Sequence, residues 1–221
     1  MAGSRPLDIQ ECNAVCVALG QFSTRNRLYT VLALNLGLRL RELTSLTVGQ
    51  LWDGTQPRAF LRIERHQLKL GRSPTRRRSV ASRTLPLNCA ARAAITAHLS
   101  SIPAFAKPAA LRSLVFAGPS GRPLSRMQVS RILRRIFVAA GIDVSNRLGS
   151  HSLRKSFCAR IWESSGHDIE VTRASLGHRN ITTTQAYLPS GEAKAHALML
   201  ALAEPPACGS ATSDPTHIVR P

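Results

Sequence analysis

The sequence predicts a mainly α-helical domain with one small antiparallel β-sheet, an α+β fold. Two observations carry the prediction. Apolar residues recur at helical spacing in segments that open on a capping side chain and close on glycine. Only two stretches, 59–66 and 81–87, hold enough β-branched and aromatic residues to form strands. At 221 residues, and with no internal repeat, the chain can bury one good core with at most a small appendage.

The elements follow in chain order. Asp8-Ile9-Gln10-Glu11 reads as a capping box. Ile9, Cys12, Val15, Cys16 and Leu19 then give a first helix over about 9–19. Ser23 caps a second helix that runs to Leu36 and stops at Gly37. A short helix over 41–46 leads into the first strand. Residues 67–80 form a long basic excursion before the second. Residues 90–99 are helical, and Leu114–Phe116 is a brief strand or a core contact. Ser125 caps a helix to Ala140, stopped by Gly141. Helices over 152–165 and 169–176 end at Gly166 and Gly177, and a helical turn spans 183–187. These elements make up a domain over 1–190. An alanine- and leucine-rich helix over 191–204 follows, and then a Pro/Ser/Thr-rich tail, 205–221, read as disordered.

Composition narrows the partner. The chain has 30 lysines and arginines against 12 acids, a formal charge of +18, which implies a polyanion, and nucleic acid before membrane. No stretch reaches 18 consecutive apolar residues and the N-terminus has no signal-peptide pattern, so the expected location is the cytoplasm. The five cysteines have no CxxC spacing and read as free thiols. The seven histidines are scattered, with neither HExxH nor a carboxylate cluster, so neither a metal nor any other cofactor is expected.

Against this background a few residues stand out. Tyr187 is one of two tyrosines and follows His178 by nine positions. A phenol with an ordinary pKa of about 10 becomes a nucleophile only where neighbouring cations activate it. Arg39 lies just after Gly37 and just before a helix, with Glu42 placed to orient it or to cap that helix. His151 and Arg154, three residues apart at a helix start, suit joint contact with one small anion. Lys69 is the only lysine in the first 106 residues, and its ammonium can protonate a leaving oxygen where an arginine does so poorly. Arg72, Arg76, Arg77, Arg78 and Arg83 surround it and read as contacts to backbone phosphates. Arg41 and Lys155 point away from the cluster, toward other phosphates.

In this order and at these separations, Gly37-Leu38-Arg39-x-x-Glu42-Leu43, Lys69 between two strands, His151-x-Leu153-Arg154, Leu176-Gly177-His178 and Tyr187 resemble the catalytic domain of the tyrosine recombinases, the phage-integrase family. The resemblance spans about residues 7–190. It implies that Arg39, Arg154 and His178 grip a scissile phosphate, that Lys69 is the general acid, that His151 assists proton transfer, and that Tyr187 attacks phosphorus. The implied activity is site-specific integration, excision or inversion of double-stranded DNA, without metal or nucleotide cofactor. A tetramer on two duplexes is implied, with a monomer free in solution and an accessory DNA-binding protein as a further partner. The 191–204 helix would dock on a neighbouring protomer. Only about 20 residues precede the second helix, so the helical core-binding domain of most members is expected to be missing. The competing readings are a DNA-binding regulator without catalysis and a type IB topoisomerase-like relaxing enzyme.

Overall fold

A computed structural model of the chain describes residues 4–68, 82–102, 107–144, 148–178, 181–185 and 187–188. The expected helix over 191–204, the tail, Lys69, Arg72, Arg76, Arg77 and Arg78 lie outside the described residues.

The core is organised around α2 (Thr24–Leu36), which packs against α5 (Cys89–Leu99) on one side and α7 (Ser150–Ser164) on another. Leu28, Tyr29, Leu32, Ala33, Leu34 and Leu36 are all buried, so α2 is covered nearly all round, as a central helix must be. Ser23 Oγ accepts from the Asn26 amide at its start, and Gly37 closes it at φ 56°. Tyr29 meets Phe116 edge to face, with ring centroids 5.4 Å apart. Ahead of it, α1 (Ile9–Ala18) opens on the expected Asp8–Glu11 capping box and runs on into a 3-10 turn, Leu19–Gln21.

The sheet is the expected antiparallel pair, β1 (Phe60–Ile63) and β2 (Arg83–Pro86), with Leu61 opposite Leu85. Leu61 and Ile63 face the core, while Phe60 and Arg62 face out. Both strands are shorter than the composition suggested, for two physical reasons. Pro86 has no amide to extend the ladder. Past Ile63 the chain turns through a 3-10 segment, Arg65–Gln67, to bury Gln67. The Gln67 amide group donates to the Ser45 carbonyl at 2.8 Å and accepts from the Glu64 amide at 2.9 Å. One end of the strand connection is thereby tied to the turn after α3 (Leu40–Thr44).

Leu114–Phe116 proves to be a core contact with a single bridge. Val115 N donates to the Leu46 carbonyl and Val48 N to the Ser113 carbonyl, beside the short helix α4 (Val48–Leu51), which the sequence reading missed. A 3-10 segment, Pro108–Arg112, was also missed. The remaining helices fall close to expectation. They are α6 (Arg126–Ala139), α7, α8 (Ile169–Leu176) and α9 (Ile181–Gln185), with left-handed glycines at 141, 166 and 177. α7 begins two residues early, where Ser152 Oγ accepts from the Gly149 amide.

Candidate active site

The site forms where α2, α3, β2, α7, α8 and α9 meet, and its floor is Arg154. Position 154 falls on the inward face of α7 with Leu153, Phe157 and Cys158, so this guanidinium is 1% exposed. Its charge is held by helix ends rather than by a carboxylate partner of its own. One Nη donates to the Gly37 carbonyl at the end of α2, and the other donates to the Leu176 carbonyl at the end of α8, at 2.9 Å. C-terminal helix carbonyls carry the negative end of the helix dipole and suit a cation. Both helices stop at a left-handed glycine, so the two glycines fixed by backbone geometry also place the acceptors of the buried arginine.

Glu42 is the anion at the centre of the group and is 1% exposed. Its carboxylate accepts from the Arg39 amide at 2.9 Å, from the Arg39 guanidinium at 2.9 Å and from Arg83 Nη2 at 3.1 Å. It therefore both caps α3 and orients Arg39, the two alternatives left open by the sequence. Burial alone would raise its pKa. Arg83, the Arg39 amide and guanidinium, and Arg154 outweigh burial and hold it below the usual carboxylate range.

Arg83, which the sequence groups with the phosphate contacts around Lys69, has a side chain only 15% exposed and lies inside this group, against Glu42. A Cβ at Gly177 would sit 2.6 Å from Arg83 Nη1, so glycine is needed there for space as well as for its φ of 62°. Arg83 Nε and Nη1 and Arg154 Nε are buried and meet no acceptor among the described residues. Among the described residues Arg39, Arg83 and Arg154 surround the single carboxylate of Glu42, a surplus of two positive charges. Burial and the Arg39 charge draw Arg154 down to about 10, still protonated at neutral pH. Unmet buried donors with excess charge define an anion site.

His178 is 3% exposed and joins the floor to α9. Its Nε2 lies 2.8 Å from Arg154 Nη2 and its Nδ1 lies 2.9 Å from Thr184 Oγ1. Burial first, then Arg154, Arg39 and Arg83, push it down to about 4. The Tyr187 ring stands beside it, centroids 5.5 Å apart, and Tyr187 N donates to the Thr184 carbonyl. Lys155 does not point away as expected, because its long stem carries Nζ to 5.6 Å from the Tyr187 ring centroid.

His151 and Arg154 do not share a surface. His151 stands exposed at the rim and Arg154 lies on the floor. Desolvation and the charges of Arg154, Arg126, Arg39 and Lys155 hold His151 below the ordinary imidazole value, which favours its neutral form. Arg41 is exposed. Two features escaped the sequence reading. One is Thr184, whose contact with His178 is set by tertiary packing. The other is the exposed side of α6, which carries Arg126, Arg131, Arg134 and Arg135, with Arg126 close enough to lower the His151 pKa; its 3.6-residue pattern was legible.

Fold and site together define an α+β domain with a buried, arginine-rich anion site and a phenol at its edge. The chain belongs to the phage integrase family, whose model matches residues 6–193. It is 31% identical over 170 residues to tyrosine recombinase XerC 1 of Ralstonia nicotianae, covering 75% of this chain and 49% of that protein. It is 38% identical over 118 residues to tyrosine recombinase XerD of Caulobacter vibrioides, covering 52% of this chain and 38% of that one. The chain thus spans half or less of the length of these relatives. The fold is shared with the XerA recombinase crystal structure, at TM-score 0.64, 18% identity and coverage of 90% and 64%. It is also shared with the Tn1549 transposon integrase in complex with a circular intermediate DNA, at TM-score 0.66, 20% identity and coverage of 91% and 67%. Among the described residues, no helix is long and apolar enough to cross a membrane.

Proposed function

We propose that this chain breaks and rejoins DNA strands at a specific site through a covalent link between a 3′-phosphate and Tyr187. The observation that carries the reading is the buried cation surplus around Glu42 with the Tyr187 ring against His178. A phosphodiester is the anion whose chemistry uses both features, because the charge on its non-bridging oxygens grows in the transition state while a nucleophile attacks in line.

In this scheme Arg39, Arg154 and His178 hold the scissile phosphate, and Arg83 offers it two further N–H donors. Tyr187 Oη attacks phosphorus, and the bond to the 5′-oxygen breaks. The leaving 5′-oxygen takes its proton from Lys69, and the phenol gives its proton to His151, which is neutral before the step. A 5′-hydroxyl from a second strand then attacks the phosphotyrosyl link and returns the proton count to its start. One phosphodiester replaces another, so no external energy source is required. Glu42 touches no reacting atom and acts by orienting Arg39.

Arg41, Arg72, Arg76, Arg77, Arg78 and the α6 arginines would hold the flanking duplex by its phosphates. The Tn1549 integrase was solved with DNA, and we extend that partner to this chain, as a tetramer on two duplexes. The cytoplasm is the proposed location. An end-labelled duplex nicked near the exchange point, so that the released fragment diffuses away, tests the reading. Wild type is expected to accumulate a denaturation-resistant protein–DNA adduct, and Tyr187→Phe to form none. An adduct formed by Tyr187→Phe at the wild-type rate would overturn the assignment. Salt-sensitive binding without any adduct would instead indicate a DNA-binding regulator.

A further inference from the structure

We infer that Thr184 is a positioning residue that fixes which nitrogen of His178 carries its proton, and so couples the nucleophile's helix to the phosphate-holding arginine. The inference rests on the functional reading above only for its catalytic consequence. A guanidinium donates and cannot accept, so His178 Nε2, 2.8 Å from Arg154 Nη2, must present its lone pair. The proton of the neutral ring therefore sits on Nδ1. There the side-chain partner among the described residues is the Thr184 hydroxyl, which accepts at 2.9 Å. The opposite tautomer would aim two donors at each other between buried groups, since Thr184 and His178 are 0% and 3% exposed.

Thr184 sits on α9 three residues before Tyr187, whose amide donates to the Thr184 carbonyl. One residue therefore contacts the imidazole through its side chain and the nucleophile's backbone through its main chain. With Nδ1–H committed to Thr184, His178 can donate to a bound phosphate only by taking up a second proton at Nε2, which the phosphate's negative charge favours. Thr184 is the threonine whose hydroxyl the structure places against the ring.

The test uses Thr184→Val, which keeps shape and removes the acceptor, and Thr184→Ser, which restores it. Imidazole nitrogen resonances of the DNA-free protein are expected to show His178 as Nδ1–H in wild type and Thr184→Ser, and as a mixed or reversed tautomer in Thr184→Val. On the nicked duplex, Thr184→Val should form adduct about 10- to 100-fold more slowly at unchanged duplex affinity, the loss typical when a functional histidine loses its orienting partner. Thr184→Ser should recover most of that rate. A wild-type ring protonated on Nε2, or a Thr184→Val protein with wild-type tautomer and rate, would overturn the inference. Should Thr184→Val fail to fold, Thr184→Ala makes the same comparison of tautomer and rate, and a wild-type ring protonated on Nε2 still overturns the inference. Should no substrate yield an adduct, the functional reading fails alone, because the tautomer is read without DNA.

Discussion

At the scale of single residues the site is a balance around one carboxylate. Removing Glu42 leaves Arg39, Arg83 and Arg154 to repel one another with no anion to hold them. Arg39 is 29% exposed and partly screened, so most of the cost falls on the two buried arginines. Glu42→Ala is expected to lower unfolding free energy by about 3–5 kcal/mol in denaturant titration, the usual loss on breaking a buried ion pair. His178 gives a second expectation. Its folded pKa of about 4 lies below the unfolded value of 6.5, so between those values the unfolded chain binds a proton that the folded chain refuses. Stability is then complete above about pH 6.5 and falls as pH drops toward 4. At pH 5 the loss from this group is about 2 kcal/mol relative to neutral pH. His98 and His151 shift in the same direction, so the comparison is wild type against His178→Asn, whose pH slope should be shallower by that amount.

At the scale of elements, the site depends on where two helices stop. Gly37 and Gly177 take left-handed conformations and leave the Gly37 and Leu176 carbonyls free to receive Arg154. A methyl at 177 meets Arg83 Nη1 at 2.6 Å, and one at 37 meets the Phe157 ring at 2.2 Å. Gly177→Ala is expected to cost about 1–2 kcal/mol in thermal or denaturant unfolding from backbone strain, and more in adduct rate than in stability because it displaces Arg83. Equal losses in the two would show that Arg83 has no part in the site. These helix ends were legible because a capping side chain, a periodic apolar run and a glycine are local signals. Arg83 was misjudged because its neighbours Glu42 and Gly177 lie far away in sequence, and an arginine in a basic stretch reads as solvated. Thr184 was missed for the same reason. Lys155 was placed by helical angle alone, which ignores the reach of a four-carbon stem. The short helix α4 was missed because four residues carry too little periodicity, and it is held instead by the Gln50 and Gln67 amides.

At the scale of the whole molecule, a charge of +18 on 221 residues sets how the protein meets DNA. Affinity for duplex should fall linearly in log–log form as salt rises, with a slope of about −0.9 for each phosphate neutralised. Replacing Arg134 and Arg135 on the exposed face of α6 with alanine should reduce that slope by about 2 while leaving folding intact, and an unchanged slope would remove α6 from the DNA-binding face. The central claim is that the phosphate ends on Tyr187. Tyr29, the other tyrosine, is 2% exposed, packed on Phe116, and raised in pKa by burial, so it is no candidate. Trypsin and nuclease digestion of the covalent adduct, followed by mass spectrometry, locates the link directly. The account expects the nucleotide on the tryptic peptide 180–194, at Tyr187. A nucleotide on any other peptide, or on a serine or threonine within this one, would contradict it.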